Sequence, residues 1–261
     1  MSMTRRGFMS AAQRGLIGAL TGLMLLAGTA VPATAQTADN APKRIMIFGD
    51  SNTWGYIPVA NGTTTRYPED VRWPGVLRAT LGQGYEVIDE GLSARTTDLP
   101  DLTLPHISGA GLDGSAYLPA AIATHLPLDL VVIMLGTNDL KKMFDRSPLR
   151  IALGVGKLVD IVSQVKGGVG TSYTPPKVLV LCPPPLGNVA PPERAERFAG
   201  GLEKSKALPA YYEAVAKAAG AEFLDVGKLT GTDGVDGIHL SAAAHKAIGT
   251  GVGEKVKAIL K

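Results

Sequence analysis

The chain has 261 residues, 45% of them hydrophobic and 5% aromatic, with 26 Lys and Arg against 23 Asp and Glu and a single cysteine. Near-balanced charge without basic clustering excludes a polyanion-binding face for nucleic acid, and one cysteine excludes an internal disulfide framework. The length suits one domain with a sizeable core.

Residues 1–35 read as an export signal and are set aside from fold reasoning. Thr4-Arg5-Arg6-Gly7-Phe8-Met9 is a twin-arginine pattern, the stretch 16–31 is uncharged and mostly apolar, and Ala33-Thr34-Ala35 supplies the small residues of a cleavage site. The stretch has 16 residues, short of the roughly 20 of a spanning helix, so cleavage after Ala35 and a periplasmic or secreted product without stable membrane association are expected. Three of the 26 basic residues (Arg5, Arg6 and Arg14) lie in this segment and no acidic residue does, so 23 basic residues face 23 acidic ones in the remainder. Residues 36–42 form a polar linker, and 43–261 read as one domain.

Within that domain, apolar runs of strand length alternate with helical patterns. The first strand is predicted at 44–48, followed by Gly49-Asp50-Ser51-Asn52-Thr53-Trp54-Gly55, a loop over 56–68 and a helix over 73–81. A second strand at 86–89 runs into Glu90-Gly91-Leu92-Ser93, then a long loop over 96–114 and a helix over 116–125. The third strand, 128–135, ends in Gly136-Thr137-Asn138-Asp139 and precedes a helix over 149–165. A fourth strand at 177–181 ends at Cys182, a small buried residue. A helical pattern over 194–219 should break at Pro209. A fifth strand at 222–226 precedes Asp236-Gly237-Ile238-His239 and a last helix over 241–261, which should carry His245 on its exposed face. Continuous runs such as Leu130-Val131-Val132-Ile133-Met134-Leu135 fit strands covered on both faces. The alternation predicts a three-layer α/β/α sandwich on a five-stranded parallel sheet.

In the flavodoxin-like order 2-1-3-4-5, strand one lies between strands two and three. Ser51, Gly91 and Asn138 leave those three strands and therefore meet at one sheet edge. A serine hydroxyl needs a base to attack an ester at neutral pH. His239 is the candidate base. Asp236, three residues earlier, can reach its Nδ1–H, although Asp233 shares the Asp-Gly-Val-Asp-Gly pattern and spacing leaves both open. The N–H groups of Ser51 and Gly91 and the amide of Asn138 are candidate oxyanion donors, Gly91 because a residue without Cβ permits close approach.

These four segments resemble the SGNH, or GDSL-type, hydrolases over essentially all of 43–261, and the resemblance places the acid on Asp236. Gly91-Leu92-Ser93-Ala94-Arg95-Thr96-Thr97, His125-Leu126-Pro127-Leu128-Asp129-Leu130-Val131 and Thr232-Asp233-Gly234-Val235-Asp236-Gly237-Ile238-His239 are similar to the arylesterase/acyltransferase branch. The resemblance implies hydrolysis of small aryl and alkyl esters, acyl transfer to alcohols, no cofactor and a homo-oligomer. Asn52 departs from the family's usual leucine and sets a polar group beside the pocket, with Trp54 and Ile238 as candidate apolar walls. Two other readings stay open: a carbohydrate O-deacetylase using the same triad, and an exported binding protein with a vestigial site.

Other motifs are weaker. Ser93 lacks the closing glycine of a G-x-S-x-G elbow, since Arg95 stands there, and reads as a loop hydrogen-bonder. Gly154-Val155-Gly156-Lys157 lacks the first glycine (Ile151) and the Ser/Thr (Leu158) of a phosphate loop. His106, His125, His239 and His245 show no metal-ligand spacing, and His106 is a candidate for the site mouth. Arg95 is expected to pair with a carboxylate such as Glu90.

Overall fold

Alternating side chains on five strands, the central three of them buried, divide the core into two faces, and this division positions the site. The computed structural model describes residues 41–104 and 109–261. The export signal, most of the linker and His106 lie outside them. The strands are β1 (Lys43–Gly49), β2 (Tyr85–Gly91), β3 (Leu130–Met134), β4 (Lys177–Cys182) and β5 (Glu222–Asp225), all parallel in the order β2-β1-β3-β4-β5. This is the flavodoxin-like order expected above.

Seven α-helices complete the layers among the described residues: α1 (Ser51–Trp54), α2 (Trp73–Leu81), α3 (Gly114–His125), α4 (Pro148–Gln164), α5 (Pro192–Arg197), α6 (Gly201–Ala218) and α7 (Ala242–Ile259). On one face Met46, Phe48, Val131, Ile133, Val178 and Val180 meet Ile122 of α3, Val155 of α4 and Leu208 of α6. On the other, Ile45, Ile47, Val132, Leu179 and Leu181 meet Trp73 and Leu77 of α2 and Ile248, Val252 and Val256 of α7. Successive strand residues point to opposite sides, so both faces must be covered, and the sequence shows unbroken apolar runs.

Three expectations are corrected or refined. Pro209 does not break its helix: α6 runs through it, because Ser205, Leu208, Tyr212 and Ala216 anchor one buried face on both sides. The interruption falls earlier, at Phe198 to Gly200, where Gly200 takes φ 78° and separates α5 from α6. His245 is fully buried rather than exposed. Its Nδ1 accepts the Trp73 N–H at 3.3 Å and its ring meets Tyr67 edge-on, with 5.3 Å between centroids. Burial pushes its pKa down to about 4, so it stays neutral in the α2/α7 seam. Third, Gly154 to Lys157 lie within α4, where a Cβ on Gly154 would fall 2.3 Å from Thr97 Oγ1; the glycine serves close packing. Cys182 is buried at the end of β4, and burial holds its thiol well above its usual pKa.

Candidate active site

β1 ends in Gly49, and Asp50 turns the chain into the single turn of α1. The Asp50 side chain caps that turn by accepting the Asn52 N–H at 2.9 Å, and Gly55 closes it with a bond from its N–H to Ser51 O at 2.9 Å. Capping by aspartate suits a turn too short to stabilise itself. Ser51 thus stands just past the carboxyl end of β1, 5% exposed.

After β5, the loop before α7 returns to the same edge. His239 Nε2 lies 3.0 Å from Ser51 Oγ, and His239 Nδ1 lies 2.6 Å from Asp236 Oδ2. Asp236 is fully buried, and its Oδ1 accepts the N–H groups of Ile238 (3.0 Å) and His239 (2.9 Å). Burial alone would raise this carboxyl. Its hydrogen bonds and its attraction to His239 outweigh that and hold it below the usual carboxylate range. Asp233 is occupied elsewhere: it accepts the Ser241 N–H at 2.9 Å and the Ser241 hydroxyl at the start of α7. Of the two aspartates that spacing left open, Asp236 is the one bonded to His239.

Asn138 arrives from β3 through Gly136, whose φ of 122° and closeness to Tyr212 Oη (2.0 Å from where a Cβ would be) require glycine. Its Nδ2 donates to Arg95 O at 3.2 Å, which fixes the amide's direction and leaves its second N–H free of that bond. The neighbouring Asp139 is buried and accepts the Thr97 N–H at 3.0 Å and Arg146 Nη1 at 2.8 Å, tying the loop after β2 to the end of β3.

Gly91 has a different role from the one the sequence suggests. Its N–H donates to Asp89 Oδ1 at 3.0 Å and so is already occupied. A Cβ there would lie 2.4 Å from Trp54 N, so its lack of a side chain serves the approach of α1 rather than a ligand. Ala94, three residues on, lines the cavity beside Ser51 with φ 70°, a conformation that non-glycine residues seldom adopt. The N–H groups of Ala94 and Ser51 have no hydrogen-bond partner among the described residues. Sequence reasoning missed Ala94, because nothing in Gly-Leu-Ser-Ala marks which residue lines the cavity with its N–H left unbonded.

The cavity measures about 240 Å³. Apolar walls come from Leu104, Phe198 and Ile238, and Tyr56 stacks on His239 with 4.0 Å between centroids. Lys141, Arg194 and Arg197 also line it. Of the wall residues that the sequence suggests, only Ile238 lines the cavity. Trp54 lies under Arg66, at 5.1 Å from ring centroid to guanidinium carbon, and Asn52 turns inward to donate to Ile238 O at 3.2 Å. Ser93 lines the cavity without making a side-chain hydrogen bond among the described residues.

Arg95 is 1% exposed and pairs with no carboxylate among the described residues. It donates to the backbone carbonyls of Gly49, at 3.0 Å, and of Glu90, and lies over Phe48 at 4.0 Å. The Glu90 carboxylate is taken instead by His125 Nε2 at 2.8 Å. Burial pushes the guanidinium pKa down to about 10, still charged at neutral pH. Arg95 is thus a structural cation joining the ends of β1 and β2.

Asp50, 1% exposed beneath this site, is pushed up to about 7, chiefly by burial and further by Asp139, against the lowering effect of the Asn52 N–H. The native state therefore binds a proton that the unfolded chain, with its ordinary value of 3.8, has released. That contribution to stability is present at low pH and is lost as pH rises through 7. Asp50→Asn is expected to gain on the parent by on the order of 2–4 kcal/mol between pH 5 and 8. Denaturant unfolding of both proteins across that range checks this; a constant difference would remove Asp50 from the account.

A parallel α/β/α sheet that brings a hydrogen-bonded serine, histidine and aspartate to one cavity defines an α/β serine hydrolase. Residues 47–247 match the GDSL-like lipase/acylhydrolase family, and the chain belongs to that family. A carbohydrate acetylesterase from Sinorhizobium meliloti is 51% identical with a TM-score of 0.79, and the native aryl esterase of M. smegmatis is 50% identical with a TM-score of 0.80. Each match covers 83% of this chain and 99% of the other. Among curated proteins, none matches. The chain is a carboxylic ester hydrolase.

Proposed function

We propose that this enzyme cleaves small esters through an acyl-enzyme on Ser51. The observation that carries the reading is the continuous hydrogen-bond line from Ser51 Oγ through His239 to buried Asp236, at 3.0 and 2.6 Å, opening on a cavity with unpartnered N–H groups. Asp236 accepts the Nδ1–H and leaves Nε2 to take the hydroxyl proton as Oγ bonds to the ester carbonyl carbon. The negative charge moves to the carbonyl oxygen, which the N–H groups of Ser51 and Ala94 and the amide of Asn138 stabilise. His239 then gives its proton to the departing alkoxide as the C–O bond breaks. Water, or an alcohol, loses a proton to Nε2 while attacking the acyl carbon, and Ser51 recovers its hydrogen.

The cavity is smaller than the 300–1,000 Å³ typical of drug-sized sites, which favours acetyl and other short acyl groups. Hydrolysis of p-nitrophenyl esters tests this directly. From acetate through butyrate to octanoate, kcat/KM is expected to fall by about 100-fold or more; equal rates would show that the acyl chain lies outside the cavity. The apolar walls of Leu104, Phe198 and Ile238 support transfer to alcohols, because they hold an organic acceptor against the acyl-enzyme. A second reading, removal of acetyl groups from sugars, is supported by the carbohydrate acetylesterase among the half-identical structures. Acetylated xylose cleaved faster than p-nitrophenyl acetate would favour it.

A further inference from the structure

α5 brings Arg194 to the acid of the triad. One nitrogen, Nη1, donates to Asp236 Oδ2 at 3.0 Å and to Val59 O at 3.0 Å. The same Oδ2 accepts His239 Nδ1–H, while Oδ1 is filled by two backbone N–H groups. The Asp236 carboxylate therefore has four donors among the described residues, and Arg194 is the only one of them carrying a fixed charge. Its side chain is 23% exposed, so it acts at the boundary of cavity and interior, where charge is only partly screened.

We propose that Arg194 is a positioning residue that sets the pH range of the triad; the inference rests on the Ser51–His239–Asp236 reading above. Shared between an imidazole and a guanidinium, Oδ2 gives up part of its attraction for the imidazolium form of His239. The permanent charge disfavours that form directly as well. Activity is thus expected to persist to lower pH than it would with Asp236 held by His239 alone. The bond to Val59 O also anchors the loop that carries Tyr56, the residue stacked on the imidazole.

Other charged and titratable groups surround the imidazole. Lys141 and Arg197 line the same cavity, with Lys141 bonded to Asp101 at 2.6 Å. Tyr56 covers one ring face, Asp50 lies beneath Ser51, and Asp233 and neutral His245 belong to the α7 side. None of these side chains donates to Asp236 or His239 among the described residues, whereas Arg194 does.

The test is the acid limb of kcat/KM against pH for p-nitrophenyl acetate. Arg194→Met removes the charge and keeps the stem; its acid limb is expected about one unit above the parent's, with activity at pH 5 down about tenfold and activity at pH 8 changed far less. Arg194→Lys, which keeps the charge, is expected to stay near the parent. An equal loss at every pH in both variants would mean a purely structural role and would overturn the proposal. If Arg194→Met does not fold, Arg194→Gln is followed by the low-field NMR resonance of the His239 Nδ1 proton, whose titration must move upward in the same sense. Labelling of the parent by a fluorophosphonate separates the two readings. A labelled Ser51 with an unmoved limb overturns the Arg194 inference alone, and an unlabelled Ser51 overturns both.

Discussion

Ser51→Ala is expected to lower kcat for p-nitrophenyl acetate by about 10⁴–10⁶, with the fold unchanged and fluorophosphonate labelling abolished. The size follows from what the cavity otherwise offers. Ser93 also lines it, yet among the described residues no base contacts its hydroxyl. Cys182 is buried at the end of β4 with a thiol held protonated. Without Oγ, His239 can activate only water, unpositioned, against an ester still polarised by the remaining donors. Substantial activity in the variant would transfer the nucleophile to Ser93. Labelling of the parent at Ser51 would also dismiss a vestigial binding protein.

Asn138→Ala is expected to lower kcat by about 10²–10³ with little change in KM, since the amide meets a charge that exists only in the transition state. Its geometry is set before substrate arrives, because one N–H is committed to Arg95 O at 3.2 Å. The substitution also strands that buried carbonyl, so a loss of about 1–2 kcal/mol in unfolding free energy should accompany it. Measuring kcat, KM and denaturant unfolding on one preparation separates these effects. A rise in KM with unchanged kcat would make Asn138 a substrate-binding group instead.

The strands are legible in the sequence because the central parallel ones are buried on both faces, which leaves unbroken runs such as Leu130 to Met134, whereas their order is carried by the common flavodoxin-like arrangement. Ser51, Asn138, Asp236 and His239 are legible too, since each occupies a short motif directly after a strand or before α7. What the sequence hides is direction and long-range partnership. Gly91 ends β2 and Ala94 stands three residues on, and only the structure shows that the first N–H is spent on Asp89 while the second, on a cavity-lining residue, has no partner among the described residues. The partner of His245 is Trp73, 172 residues away, and Arg194 reaches Asp236 across 42. No local pattern announces either. Pro209 misleads for the opposite reason: a strong local rule is overridden by a buried face continuous on both sides.

The hydrogen bond between Ser51 and His239 spans 188 residues, most of the described chain. No nascent fragment contains both groups until the loop beyond β5 has been made. Until α7 docks against α2, the early-made serine is chemically as quiet as any surface hydroxyl. Hydrolytic power is therefore born only with the completed tertiary structure, and the return of activity after denaturation clocks the final closure of the molecule rather than the formation of any one helix or strand.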